Sequence, residues 1–536
     1  WLTMAVTEVP TGMVADTFGR KTSVIIGMLR VMFSALLFVL APNFALLMLA
    51  NMLWGLAVTF ISGADLALFY DSLREMDRLG EYTRLRGLLS SAVLTATAAG
   101  NIVGGLVAFV ASTAVDVAVL LPFAAGTFIY IALADLGGHG KVNDVLYEVN
   151  AITMKVRSSE LDAISQLPYV AAANPDAERH GAPVDTIAAT DFANGLSTWD
   201  QDAINVTDIG FDNRQVAYDG TGVYVAVLDT GLVDSWRQYF PEERIAEEFA
   251  KAFGGGGGEN GTVSEPTNKW EHDQNSHDTH VTSTILGYNL RGTPINGTAP
   301  MATIIPVKVL NQNGSGWSSV IARGIVYITD LKVSGALGTN PVVINMSLGG
   351  SVLDAVEKAA IDYAVANGVI IVASAGNSGT AGMGYPGAYA PVISVAASGW
   401  LGEWSGSSSW WYSANVADPT NPEDYYITDF SSRAKPGQDL DVAAPGSWIV
   451  GPYQVNSGQI SYYFLGGTSM ASPHVAGIVA LMAQKYPALT ASQAESILEG
   501  SAIYMPPGTA ADPYSGATLT WGADATGAGL ATADAA

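Results

Sequence analysis

Apolar and polar positions divide the chain into stretches of different period. Over residues 1 to about 110 the apolar runs are long. Ser23–Ala41 and Phe44–Ala64 each approach the length that crosses a bilayer. A third run, about Leu88 to Ala111, is rich in small residues, and Gly100, Gly104 and Gly105 suit close helix packing. One more apolar run fills 113–136, so an all-α segment of membrane helices is expected over 1–136. The pattern then changes. Val142–Val156 alternates like a strand, Ser158–Leu167 reads as a short helix, and Val170–Ala173 follows. Beyond residue 195, short runs apolar at nearly every position recur: Val223–Leu228, Ala302–Leu310, Val342–Met346, Val369–Ala373 and Val392–Ala397. Helical stretches separate several of them. Strands apolar on both faces, alternating with helices, predict an α/β domain: a doubly wound, mostly parallel sheet with flanking helices and its functional residues at strand C-termini.

Composition sharpens this division. A chain of 536 residues is too long for one ordinary core. It is 49% hydrophobic yet carries a formal charge of −25. The two coexist because they are segregated, with the acids concentrated after residue 136. The acidic balance argues against nucleic acid as a partner. With no cysteine, neither disulfides nor thiolate metal sites are available. The chain opens at Trp1 inside an apolar segment and reads as a fragment.

The candidate chemistry lies in four places, each at the edge of an apolar element. Val223–Leu228 runs into Asp229-Thr-Gly231, which would deliver a carboxylate to the end of a strand. Asn275-Ser-His-Asp-Thr-His-Val281 precedes a helical stretch. Val369–Ala373 runs into Ser374-Ala-Gly-Asn377. Gly467-Thr-Ser-Met-Ala-Ser-Pro-His-Val-Ala-Gly477 leads into an apolar helical run with Ser469 at its start. Backbone N–H groups at a helix N-terminus are unpaired and favour negative charge, which suits a nucleophile that generates an oxyanion beside itself. Taken alone, the serine reads as a cap before an amphipathic helix. The full set of Asp, His, Asn and Ser reads as nucleophile, base and orienter.

Over roughly Asp191 to Ala536 these motifs resemble the subtilisin-like serine proteases, the subtilases. The resemblance implies Asp229 as orienting carboxylate, His277 as general base, Ser469 as nucleophile and Asn377 as oxyanion-hole side chain. Asn345-Met-Ser-Leu-Gly-Gly350 resembles the family's substrate-binding strand. Ser347, Leu348, Gly349, Ala375 and Gly376 would flank the pocket for the residue before the scissile bond. Gly384 would leave that pocket roomy, favouring large apolar side chains. The implied activity is endopeptidase cleavage of proteins through an acyl-enzyme, and the chemistry requires no cofactor.

Two departures stand out. The family pattern has glycine where Asp278 follows the histidine. A carboxylate there would either raise the proton affinity of His277 or sit solvated and harmless, and the second is the expectation. The Tyr288–Asn296 loop lacks the acidic and amide pattern of the family's calcium loop, so structural calcium is possible through other carboxylates but unsupported there. His280 and His474 read as packing residues, and His139, His180 and His272 as exposed. Trp400 to Thr428 reads as an insertion and a surface excursion.

Residues 140–178 resemble the second half of the subtilase inhibitory propeptide, a small α+β piece that would bind its own peptidase. A polar linker would occupy 179–194, with the peptidase over 195–536. Residues 1–110, through Gly12-Met-Val-Ala-Asp-Thr-Phe-Gly-Arg-Lys21, resemble a fragment of a major facilitator transporter, and 113–136 resemble one helix of ZIP-type metal transporters. Arg20 and Lys21 mark one cytoplasmic loop, and Arg74, Arg78, Arg84 and Arg86 another. Two further spans would bring the peptidase out in the cytoplasm, whereas the enzymes it resembles work outside the cell. The conflict points to a chimeric chain, held to the membrane by its N-terminal helices. The alternative reading is a truncated transporter with an inert protease-like tail.

Overall fold

Strands apolar at every position need cover on both faces, and the computed structural model shows that cover. It describes Ser34 and Leu53, then residues 140–167, 170–180, 185–188, 197–253, 268–456 and 458–536. The chain divides into units Trp1–Leu121 and Pro122–Ala536, and everything below concerns the second. Of the membrane helices expected over 1–136, all but Ser34 and Leu53 lie outside the described residues. Among the described residues no helix is long and apolar enough to cross a membrane.

The strands β1 (Tyr224–Asp229), β2 (Lys251–Ala252), β3 (Thr303–Lys308), β4 (Val342–Met346), β5 (Val369–Ser374), β6 (Ile393–Trp400), β7 (Tyr425–Ile427) and β8 (Val442–Pro445) form one sheet. Their order is β7-β6-β5-β4-β1-β3-β2, with β8 also paired to β6. Only β7 runs antiparallel. All five expected strands are present to within three residues at either end. The three missed ones are short, and two of them, β7 and β8, lie in or beyond the insertion.

Alternate residues of each strand serve opposite layers. Val225 and Val227 of β1 face the core shared with α1 (His277–Leu286) and α4 (Thr468–Lys485). Ala226 and Leu228 face the core shared with α2 (Ser318–Val333) and α3 (Ala355–Ala366). The strands after β1 fall on both its sides, β3 on one and β4 on the other. The sheet therefore reverses its winding between β1 and β4, which opens a crevice at their C-terminal ends.

Three expectations change. Val142–Val156 is not one strand but a hairpin, Gly140–Leu146 with Ala151–Val156, because the chain turns at Asn150 in the left-handed region. Its Leu146 is fully buried against α2 and α3, and Arg323 of α2 donates to Asp144 at 2.9 Å. The supposed linker over 179–194 is partly paired. Glu178–His180 pairs with Ser315–Trp317, and Asp185–Ala188 pairs with Tyr462–Gly466. Arg179 enters the interior as the counterion of Glu357, both side chains fully buried. α4, expected as an apolar helical run, is buried at every residue from Thr468 to Ala483. Trp400–Thr428 is not a surface excursion. Trp400, Trp410 and Trp411 are buried, and Trp199 packs on the first two at 6.2 and 6.0 Å between rings. Large aromatic rings gain too much from leaving water to remain outside.

The insertion also buries an acid. Glu403 accepts from the Tyr426 hydroxyl and from Ser447 Oγ at 3.1 Å, and burial pushes its pKa up to about 8. A folded-state pKa above the unfolded one costs stability as pH rises between the two values. The Glu403→Gln variant escapes that loss. Its advantage over the wild type in urea unfolding should grow by about 3–5 kcal/mol between pH 4.5 and pH 8.5. A constant difference across that range would show that Glu403 ionises freely.

Candidate active site

β1 ends on Asp229, fully buried at the crevice. The Thr230 N–H donates to its Oδ1 at 2.7 Å and so holds the carboxylate at the strand end. α1 starts with His277, directly after Ser276 in the left-handed region (φ 77°). His277 Nδ1 lies 2.8 and 2.9 Å from the two Asp229 oxygens. A carboxylate can only accept, so Nδ1 carries a proton, and in the neutral ring Nε2 presents a lone pair. Nε2 is buried and has no hydrogen-bond partner.

Ser469 is the second residue of α4, so its N–H is among those without an intrahelical acceptor. Its Oγ donates to the Ser347 carbonyl at 3.1 Å rather than to His277. Ser347 follows β4, on the other wall of the crevice from Asp229. A buried chain of polar groups holds these parts together. Ser347 Oγ donates to the Ser469 carbonyl at 2.8 Å, Asn345 Nδ2 donates to Ser347 Oγ at 3.0 Å, and Ser472 Oγ donates to Asn345 Oδ1 at 2.7 Å. The start of α4 is thereby bonded to the end of β4.

Asn377 lies three residues beyond β5, and only part of it is buried. Its Oδ1 accepts from Thr468 N and Thr468 Oγ1, both at 2.9 Å. The backbone donor settles which end of the amide is oxygen, leaving Nδ2 free toward the start of α4. The glycines of the expected pocket come together. A Cβ built on Gly384 would lie 3.4 Å from the Gly350 carbonyl, and one on Gly376 would lie 3.1 Å from Gly384 N. Gly350 and Tyr385 exchange backbone hydrogen bonds of 2.8 and 2.7 Å. Leu348 and Ala375 are buried in the core, so only their backbones can face a ligand.

The expectation that Asp278 is solvated is wrong: it is fully buried, because α1 presses its first turn against the turn after β1. His280 and His474 are buried as expected, with Nε2 at 3.1 Å from the Ile449 carbonyl and 2.9 Å from Asp200 respectively. His272 is half exposed beside Asp234. Sequence reasoning missed Thr468, Asn345 and Ser472 as supports, and Asp273 with Lys308 behind the site. Thr468 and Ser472 lie inside the quoted serine motif. Nothing local marks Asp273 and Lys308, which only the fold brings together.

The residues at the expected calcium loop do not fit a cation. They form a short hairpin, Gly287–Leu290 with Thr293–Asn296, in which the Asn289 amide is already bonded to Gly292 N and the Gln238 carbonyl. Carboxylate oxygens do gather within 4.8 Å at Asp202, Asp208 and Asp418, and at Asp439, Asp441 and Glu495. Neither group includes a residue of the crevice described above.

A serine at a buried helix N-terminus, a histidine paired to a carboxylate and a free amide, all at the switch point of a doubly wound sheet, are the parts that serine hydrolase chemistry needs. The comparisons with known proteins narrow this class. A family model described as Peptidase S8, subtilase family, matches residues 220–529. Subtilisin DY of Bacillus licheniformis is 35% identical over 289 residues, 53% of this chain and 85% of that protein. A thermostable alkaline protease of Halalkalibacterium halodurans is 33% identical over 301 residues, 55% of this chain and 68% of its own length. Thermitase of Thermoactinomyces vulgaris is 32% identical over 284 residues, covering 53% and 82%. The chain belongs to the subtilase family and is a serine endopeptidase.

The Ser472→Ala variant should leave the buried Asn345 oxygen without its donor. We expect a loss of about 1–3 kcal/mol in denaturant unfolding. An unchanged midpoint would mean that the polar chain adds nothing to the seat of α4.

Proposed function

We propose that Ser469, His277 and Asp229 act together to cleave peptide bonds through an acyl-enzyme. The observation that carries this reading is the His277 ring, fixed through Nδ1 by Asp229 with a buried, unpartnered Nε2. An imidazole held in this tautomer is suited to take a proton at Nε2. In the resting arrangement the Ser469 hydroxyl is turned to the Ser347 carbonyl. Rotation about one side-chain bond redirects it. Substrate entering beside Ser347 would compete for that carbonyl and release the hydroxyl toward His277.

Ser469 Oγ then attacks the peptide carbonyl carbon while Nε2 takes its proton. The C–N bond breaks as the imidazolium returns the proton to the leaving amine. Water repeats the sequence on the ester. Negative charge on the carbonyl oxygen would meet the Ser469 N–H and Asn377 Nδ2, both at the positive end of α4. Asp229 holds the imidazolium through Nδ1. The walls at Ser347–Gly349 and Ala375–Gly376, with Gly384 at the base, offer backbone rather than side chains and leave room for a large apolar residue before the scissile bond. Residues 140–178, lying on α2 and α3, are read as part of an inhibitory propeptide. The membrane-helix reading of 1–136 lies outside the described residues and adds nothing to this chemistry.

Labelling by a fluorophosphonate probe should occur at Ser469 and vanish in Ser469→Ala, together with peptide turnover. Turnover that survives in Ser469→Ala would overturn the assignment. The Asn377→Ala variant should keep its KM and lose about 10²–10³-fold in kcat, a magnitude that itself comes from a subtilisin. Gly384 lacks the left-handed backbone that would bar a side chain. The Gly384→Val variant should therefore fold. It should lower kcat/KM for phenylalanine before the cleaved bond by about 10- to 100-fold relative to alanine. Equal effects on both substrates would place the pocket elsewhere.

A further inference from the structure

Behind the Asp229–His277 pair lies a layer of buried polar groups that no step above uses. Asp278 follows the proposed base in α1 and is fully buried. Its backbone N–H donates to Thr230 Oγ1 at 3.1 Å. Its Oδ2 accepts from the Gly231 N–H at 3.0 Å, and its Oδ1 accepts from Thr282 Oγ1 at 2.9 Å, one helical turn along. Thr230 Oγ1 in turn donates to Asp273 Oδ2 at 2.8 Å, and that same oxygen accepts from Ser276 N at 2.6 Å. Lys308, at the end of β3, donates to the Thr230 carbonyl and lies 3.2 Å from Asp273 Oδ1. The hydroxyl and carbonyl of Thr230 and the N–H of Gly231 are thus all engaged, by the segment that carries His277 and by β3.

This matters because the chain leaves Asp229 through Thr230 and Gly231. Gly231 sits in the left-handed region (φ 84°), and a Cβ there would lie 2.6 Å from the Trp270 carbonyl. The turn is pressed into a space that glycine alone fits. The bond from the Gly231 N–H to Asp278 Oδ2 ties this turn to α1. A shift of the turn would carry the Asp229 carboxylate with it and change its fit to His277.

We infer that Asp278 is a positioning residue for the peptidase reaction, its side chain fastening the turn after Asp229 to the first turn of α1 and so setting the fit between Asp229 and His277. The inference rests on the roles assigned to Asp229 and His277 above. The charged groups acting on Asp278 are Asp229 on β1 and Asp273 before α1, the latter paired with Lys308 of β3. Burial, and then the Asp229 charge, push the Asp278 carboxyl well above the usual carboxylate range. Both causes oppose a second negative charge beside the imidazole. An amide of the same shape can still accept from the Gly231 N–H, whereas a methyl group cannot.

The test uses the full chain with Asp278→Asn, Asp278→Ala and a Ser469→Ala blank. Active enzyme is counted by fluorophosphonate labelling, and kcat and KM for a chromogenic peptide are measured across pH. We expect Asp278→Asn to keep kcat within about threefold and to keep the acidic limb of kcat/KM in place. Asp278→Ala should lose about 10- to 100-fold in kcat at unchanged KM, the scale of a small misplacement of a catalytic pair. Wild-type kcat in Asp278→Ala, or an equal fall in both variants, overturns the inference. So does a displaced acidic limb in Asp278→Asn, since it would mean that a charge has been removed. If Asp278→Ala does not yield folded protein by thermal melting, the kcat and pH profile of Asp278→Asn still decide. Turnover that persists in Ser469→Ala would instead sink the assigned roles themselves.

Discussion

One helix without a wet face governs the molecule. α4 is enclosed from Thr468 to Ala483 by the sheet on one side and by α1 on another. Its fit is close enough that a Cβ on Gly477 would lie 2.4 Å from Thr298 Cβ. A helix hydrophobic all round can reside only in a core, and once there it cannot slide without opening cavities on every side. Its N-terminus is therefore held at the C-terminal edge of the sheet. Ser469, the unshared N–H groups and the positive end of the dipole arrive at the crevice together. The polar chain through Ser347, Asn345 and Ser472 then fixes rotation as well as depth.

Burying this much structure around a polar crevice leaves charges in the interior, and the fold treats them in two ways. Some are paired: Asp229 with His277, Asp273 with Lys308, Arg179 with Glu357. Others sit where desolvation favours the neutral form. Glu403 is pushed up to about 8, Asp441 up to about 7, and His280 down to about 3. The contrast between His277 and His280 shows what this achieves. The two rings lie three residues apart on α1. His280 is bonded through Nε2 to the Ile449 carbonyl and stays neutral, whereas His277 faces a carboxylate and keeps Nε2 open. Each ring keeps one nitrogen without a hydrogen-bond partner, Nε2 in His277 and Nδ1 in His280, but only in His277 is the other nitrogen held by a carboxylate.

The insertion contributes to the same scaffold from a distance. Trp410 stacks on Phe464 at 5.9 Å, and Phe464 lies in the strand Tyr462–Gly466 that leads directly into α4. β7 closes the sheet edge antiparallel to β6. Trp400 and Trp410 also enclose Trp199, whose helix holds Asp200 against His474 of α4. Aromatic packing thus joins the insertion to both ends of the approach to Ser469.

Much of this was legible in the residues. Runs such as Val342–Met346 and Val369–Ser374 are apolar at nearly every position, which admits only a sheet covered on both faces. The motifs around Asp229 and Asn377 each close such a strand, and those around His277 and Ser469 each open a helix. Local pattern could not decide whether Val142–Val156 turns back at Asn150, whether Trp400–Thr428 lies in or out, or whether Asp278 meets water. Each depends on what a distant segment presents. Asp278 is dry because the turn after β1 lies against it, 47 residues earlier in the chain. Asp273 finds Lys308 across 35 residues for the same reason. The sequence by itself determined which elements form and which side chains end them, because period and capping are properties of neighbouring residues. Only the tertiary structure decided the charge state and the partners of the groups behind the crevice, because desolvation and hydrogen bonding are set by whatever the fold brings alongside.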